Sequence, residues 1–597
     1  MSEARDTLRN LVTSDQQRVD PVTLEVIRAG LMSVVHEMSI TMDRTSYSTI
    51  IREVHDYSCV LFDSEGRLIA QAEGIPIFNG SMNFVIDAVT KRYPPESMCP
   101  GDMFISNDPY TGGGTHKNDI NIVMPIFWDG ELVMLSASKA HHLDIGGKDP
   151  GSWSSDARNT YQEGLSIPAM QLARDGEINE AITDILFANM RVPHLSRGDF
   201  AAQIAAGKTA ELRAHAFLKK HGSGLFRDAV EALLDHGERI SRAAIDRIPN
   251  GVYSADGYAD GDGVTEDPIH IRVKATVEGG DIWLDYAGSD EQRSGAAGNC
   301  HWVNTVSGTR EFMMFLTDTA LGGNEGSYRP IHIDAPAGSV FRPQYPAPVT
   351  TGIGDMCTRL IELLFQAFAE VFPKEVIAGT FGTVHGMTLS GFDKDTGAEF
   401  VHFSPYAGGW GGRADTDGNS AMVSLISGDN FNIPCEVMET KFPGLLAESY
   451  KLRENSAGAG RHRGGWGVNY DYRMLWPGEI TVASDRDKFT PYGLFGGQSG
   501  AASGLIVHPG TKHEQAYARD SGIAVEAGTV LSHRTAGGGG YGDPLEREPQ
   551  AVLDDVLDEF ITLDIARATY GVVIDPKSLQ IDPVATEQCR QASEATS

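Results

Sequence analysis

The chain has 597 residues, 41% of them apolar and 22% charged, with a formal net charge of −32. That composition describes a globular protein with sizeable cores, and the length calls for roughly two to four domains. The acidic residues are scattered and no Lys/Arg cluster offsets them, which argues against nucleic acid or an anionic membrane surface as a partner.

The first 20 residues, MSEARDTLRNLVTSDQQRVD, read as a polar leader with no apolar signal region. No apolar run in the chain reaches the length needed to cross a bilayer, so the expected location is the cytoplasm. Residues 21–53, PVTLEVIRAGLMSVVHEMSITMDRTSYSTIIRE, carry apolar residues at helical spacing and predict one long amphipathic helix. YSCVLFDSEGRLIAQA (57–72) predicts a hairpin that turns at Ser64, Glu65 and Gly66. GSMNFVIDAVTKRY predicts a helix, and DMFISNDPYTGGGTH a strand that runs into a Gly-rich loop.

Residues 151–168 are loop-like, and helical patterns dominate 176–247. The character changes near 250, where GVYSADGYADGDGVTEDPIHIRVKATVEGGDIWLDYAG predicts a β-meander. A helical piece, TREFMMFLTDTAL, then a Pro-rich crossing, FRPQYPAPV, and a helix, MCTRLIELLFQAFAEVF, follow. From 376 to 545 the chain is Gly-rich with short strands, and the tail from 546 is helical. The expected fold class is α+β, a multi-domain mixture of helical blocks with antiparallel and mixed sheets. The expected units are a leader (1–20), a metal-binding α+β domain (21–250), a β-meander with helices (251–375), a Gly-rich β domain (376–545) and a helical tail (546–597).

Six cysteines lie far apart with no C-x-x-C, so they are expected to be free, buried thiols. AAGKTAEL (205–212) contains Gly-Lys-Thr, but a phosphate loop needs a glycine where Ala202 stands, and the flanks are helical. GGGGYGD (537–543) and AGAGRHRGGWG (457–467) lack the strand–helix frame of a dinucleotide site and are expected to be tight turns.

The stretch from Gly112 to Gly147 carries the chemistry. INIVMPIF and LVMLSASKA predict strands joined by Asp129-Gly130, a strong two-residue hairpin signal. Counting back from that loop brings His116 and Asp119 to the same end as His141, His142 and Asp144. Imidazole nitrogens with carboxylate oxygens form a ligand set for zinc, manganese or iron. A strict register puts Asp119 and His142 on one face and His141 on the other, and a one-residue bulge reverses the assignment. Register alone leaves the two histidines open.

Several of these motifs together resemble the hydantoinase B/oxoprolinase family: REVHDYSCVLFDSEGRLIAQA, NDPYTGGGTHKNDI, AHHLDIGG, YQEGLSIP, NEGSYRPIHIDAPAGSVFRPQYPAPV, GAGRHRGGWG and GGGGYGDPLERE. The resemblance runs from about Asp20 to Val573. It implies the B-type subunit of an ATP-dependent enzyme. A hydantoinase A-type partner would bind ATP and phosphorylate the substrate, while the B-type chain holds a divalent metal, in a hetero-tetramer. By the family pattern the ligands are Asp56, His116, Asp119 and His141, which requires the bulge.

The catalytic acid/base candidates are Asp144 and His142, because they flank that site. Glu163 in YQEGL is a candidate substrate contact or a surface carboxylate. Many hydantoinase-like members carry a histidine where Phe78 stands, so the pocket departs from that pattern. The expected reaction is opening of a hydantoin, lactam or oxoproline ring through a phosphorylated intermediate. The alternatives are a subunit of an acetone/acetophenone-type ketone carboxylase and a non-catalytic scaffold.

Overall fold

The computed structural model describes residues 19–316, 323–428 and 430–594. Most of the expected leader, residues 1–18, lies outside the described residues, as do residues 317–321 of TREFMMFLTDTAL. Val19 and Asp20 belong to the fold instead. Val19 is buried, and the Asp20 carboxylate caps the first helix, Pro21–Thr45, by accepting from the backbone N–H groups of Val22 and Thr23. Among the described residues no helix is long and apolar enough to cross a membrane.

That helix ends earlier than its apolar spacing predicts. Leu24, Ile27, Leu31, Val35, Met38 and Met42 form its buried stripe. At Ser46 the backbone turns extended, and the Asp199 carboxylate accepts from the N–H groups of Tyr47 and Ser48 at 2.7 and 3.0 Å. A side chain on a distant helix thus supplies the partner that a continuing helix would have supplied. A short helix, Thr49–Arg52, follows.

The first helix lies beside a second long one, Pro193–His221, and both cover one face of a seven-stranded sheet. The strands are β1 (Tyr57–Asp63), β2 (Leu68–Gln71), β3 (Met103–Ser106), β4 (Asp119–Trp128), β5 (Glu131–His141), β6 (Met170–Arg174) and β7 (Glu177–Ile178). They run in the order β2-β1-β5-β4-β3-β6-β7, every pairing antiparallel. AAGKTAEL sits inside the Pro193–His221 helix, where Gly207 packs against Met124. The meander after 250 forms a second sheet of four strands, with strand Ile331–Asp334 added in parallel. Residues beyond 385 build two further antiparallel sheets of four and five strands. The architecture is mixed α+β and multi-domain, with one apolar cluster running from Val19 to Leu531. The helices Pro549–Leu557 and Leu563–Tyr570 pack on Trp466, whose ring stacks on Phe560.

The glycine runs are not tight turns. Gly538 donates to the Gly465 carbonyl, Gly539 to Gly379 and Gly540 to Gln498, while Gly458, Gly412 and Leu494 donate back to the same three residues. Three successive residues therefore bond to segments on different sides. A Cβ at Gly538 would fall onto the carbonyl oxygen of Trp410, and one at Gly539 onto that of Tyr492. None of residues 537–540 has positive φ. The absence of a side chain, not conformational freedom, selects glycine here.

Cys59, Cys300 and Cys357 are buried free thiols, and Cys99 and Cys435 are free and partly exposed. Burial pushes the Cys59 thiol up to about 12, so it carries no thiolate at neutral pH.

Candidate metal centre

The hairpin turns at Asp129-Gly130, both at positive φ (50° and 83°), and Trp128 faces Glu131 as the two-residue loop requires. Phe127 then pairs with Leu132, but Ile126 pairs with Met134. Val133 is the extra residue of a β-bulge. From there to the open end the register is shifted by one, and Asp119 faces His141, not Ala140. The bulge thus puts His141 on the face of Asp119 and turns His142 to the other.

Two further segments complete the cluster. His55, at φ 63°, reverses the chain so that Asp56 arrives beside β5, where the His141 N–H donates to the Asp56 carbonyl at 3.0 Å. The loop carrying His116 is pressed against its neighbours by Gly112 to Gly114. A Cβ at Gly114 would meet the Asn107 carbonyl. The Asn107 side chain ties the same loop down by donating to the carbonyls of Lys117 and Leu165.

His116 Nε2 lies 2.8 Å and His141 Nδ1 3.4 Å from Asp119 Oδ1, and His141 Nδ1 lies 3.8 Å from Asp56 Oδ2. Thr115 Oγ1 donates to the other oxygen of Asp119. Asp119 and both histidines are buried, while the Asp56 side chain keeps 15% of its surface exposed. Burial acts to raise the pKa of Asp119, but His116 and His141 outweigh it and hold the carboxylate well below its ordinary range. Burial pushes Asp56 up to about 7, with Asp119 adding to the shift and His141 opposing it.

The donor set fits a divalent cation. His116, Asp119 and His141 offer ligand atoms within 4.8 Å of one another, with Asp56 alongside. His116 Nδ1 and His141 Nε2 are buried without a partner. Among the described residues no Lys or Arg forms an ion pair with either carboxylate. Imidazole and carboxylate together suit zinc, manganese or iron.

The remaining candidates lie elsewhere. The His142 ring is buried and meets Gln203 Oε1 at 3.0 Å, on the side of the Pro193–His221 helix. Asp144 takes four donors: the N–H groups of Gly146, Gly151 and Arg191, and the Arg191 guanidinium at 2.8 Å. A carboxylate so occupied is a poor proton carrier. Glu163 is not a surface group. It is buried, and its Oε1 accepts from the N–H groups of Val349 and Thr350 at 2.6 Å each.

Spacing did not single out Thr115, Trp153 or Phe403. The His141 ring stacks on Phe403 with centroids 5.1 Å apart, and Trp153 meets His116 edge-on. Phe403 comes from the strand Glu399–Ser404, in another sheet, so nothing local in the sequence marks it. Beside the cluster a cavity opens, lined by Asp56, His116 and His141 but by neither His142 nor Asp144.

A family model described as Hydantoinase B/oxoprolinase matches residues 20–544. A protein of Pseudomonas sp. (strain NS671), named provisionally as the B-type subunit of a D-/L-hydantoinase, is 33% identical over 600 residues, 97% of this chain and 99% of that one. The beta subunit of caprolactamase from Pseudomonas jessenii is 30% identical over 592 residues, 96% and 99% of the two chains. The crystal structure of ATP-dependent caprolactamase from Pseudomonas jessenii matches with a TM-score of 0.88 at 28% identity, over 96% of this chain and all of that one.

Proposed function

The chain belongs to the hydantoinase B/oxoprolinase family, and from that premise we propose that it is the metal-binding B-type subunit of an ATP-dependent enzyme opening a cyclic amide. One observation carries the reading: two carboxylates at the hairpin mouth are met by two imidazoles and, among the described residues, paired with no Lys or Arg. A divalent cation is the partner such a set lacks.

On this reading Asp56, His116, Asp119 and His141 hold the ion, which is zinc, manganese or iron. When bound, such an ion supplies Lewis acidity and can bring the pKa of a coordinated water to about 7. The chain's own residues prepare the site. Thr115 orients the Asp119 carboxylate by donating to it, and Trp153 and Phe403 wall the histidines from bulk water. His142 and Asp144 support the end of β5, where His142 Nε2 meets Gln203 and Asp144 takes the Arg191 guanidinium.

An amide carbonyl is a poor electrophile at neutral pH. An A-type partner would bind ATP and phosphorylate its oxygen, and the reactive intermediate would be hydrolysed here. Two relatives are named as one kind of subunit, B-type in one case and beta in the other, which supports the existence of a second kind. The assembly on this reading is a hetero-tetramer in the cytoplasm.

Elemental analysis of the purified chain tests the proposal. One equivalent of zinc, manganese or iron is expected in the wild type and none in His116→Ala or His141→Ala. With the partner and ATP, ring opening should follow. No metal in the wild type after reconstitution would overturn the reading. Carboxylation of a ketone with bicarbonate, in place of ring opening, would move the chain to the ketone carboxylases.

A further inference from the structure

The cavity beside the cluster has a composition that the proposed chemistry does not require. Asp56, His116 and His141 stand at one end. The walls are Ile75, Phe78, Trp153, Ile353, Phe403 and Ile426, and the polar side chains are those of Ser427 and Asn430. Among the described residues that line it there is no Lys or Arg. Its space is about 410 Å³, the open mouth included. A ligand entering it could carry charge where it meets His116, His141 and Asp56, but not along its body.

One basic side chain does stand near. The Lys139 amine lies 5.5 Å from the centre of the Phe78 ring and donates to Ser81 Oγ at 2.7 Å. It belongs to β5, two residues before His141 and on the same face, in the row Ser58–Lys139–Asn121, two rows from the one that holds Asp119 and His141. Lys139 is buried and does not line the cavity, whereas Phe78 does.

We infer that the site takes an uncharged, largely apolar ring or ketone, and that Phe78 sets this preference by closing the cavity off from the Lys139 side chain. The inference rests on the function proposed above and narrows its substrate class. A carboxylate on the ring, away from the reacting carbonyl, would leave water for aliphatic and aromatic walls with no counter-charge. Such a transfer is strongly unfavourable. The same apolar walls favour a methylene in that position.

A matched pair of rings tests this. 2-Pyrrolidinone and 5-oxoproline share a five-membered lactam and differ by one carboxylate. Binding of each to the metal-loaded chain is measured by calorimetry, and kcat/KM for each is measured in the complex with the A-type partner and ATP. The neutral ring is expected to lead by at least tenfold in both. Equal or better binding of 5-oxoproline would overturn the inference and leave the amide-hydrolase reading standing. So would failure of 2-pyrrolidinone, caprolactam and acetophenone all to bind, since the cavity would then take no neutral ligand. Failure of the underlying reading registers separately, as a wild-type chain without metal.

Phe78→Ala sharpens the test by uncovering Lys139. In a folded variant the ratio of the two rings should shift toward 5-oxoproline by at least tenfold, and an unchanged ratio would remove Phe78 from the account. If that variant does not fold, Ser427→Lys adds an ammonium to the wall without touching Phe78, and the same shift is expected.

Discussion

Two groups of buried and half-buried carboxylates in this protein are balanced in opposite ways. Asp260, Asp485 and Asp487 meet Arg359 and Arg519. Arg519 reaches Asp487 at 2.7 Å and Asp260 at 3.4 Å, and Arg359 bonds Asp485. Burial pushes Asp485 up to about 6 and Asp487 up to about 7. At the hairpin mouth, among the described residues, the ion-pair partners of Asp56 and Asp119 are His116 and His141. Guanidinium is permanently charged and presents fixed donors, so the first group is a finished structural joint. Imidazole offers a lone pair as readily as a proton, so the second can serve as a set of ligands. Buried acidity alone does not mark a metal site. The kind of nitrogen facing it does.

The comparison can be broken at either end. Arg519→Met should cost the most, about 3–5 kcal/mol in urea unfolding, because it strands buried carboxylates. A loss under about 1 kcal/mol would mean that the joint is not a joint. Next in size is chelation of the metal-loaded wild type. An ion present at about 1,000 times its Kd contributes about 4 kcal/mol of stability, so a chelator should lower Tm clearly. In Asp119→Ala the chelator should leave Tm where it was, and an equal fall in both chains would place the ion elsewhere.

Thr115→Val removes only the hydroxyl that donates to Asp119. Metal affinity should fall by about 10- to 100-fold with the stoichiometry kept; a titration with a competing chelator reads this directly. The smallest effect concerns pH. Asp355 lies beside Asp485 and is pushed up to about 7, by burial first and then by the charge of Asp485. A folded pKa above the unfolded one gives stability that is full at low pH and declines as pH rises through the folded value. Between pH 5.5 and 8.5 the wild type should therefore lose more Tm than Asp355→Asn, which keeps its acceptor for Thr383 and cannot ionise. Parallel losses would contradict the shift.

Much of the fold was legible because it is local. Asp129-Gly130 between two alternating runs is a hairpin by backbone conformation alone, and Asp20-Pro21 before an apolar stripe starts a helix for the same kind of reason. From these followed the convergence of His116, Asp119 and His141. The choice of His141 over His142 was different. It turned on the single inserted residue Val133, and a β-strand repeats every two residues, so one insertion reverses every assignment beyond it.

By itself, then, the sequence determined which segments are strands and helices, where the hairpin turns, and which residue types gather at its mouth, because propensity, turn chemistry and periodicity act over a few residues. Only the tertiary structure decided the rest. It ended the first helix with a carboxylate from Asp199 and buried Glu163 against Val349 and Thr350. It packed glycine backbones where turns were expected, and it brought Phe403 from another sheet onto His141. Each of these depends on partners tens to hundreds of residues away, and no local preference of the chain encodes where such a partner will stand.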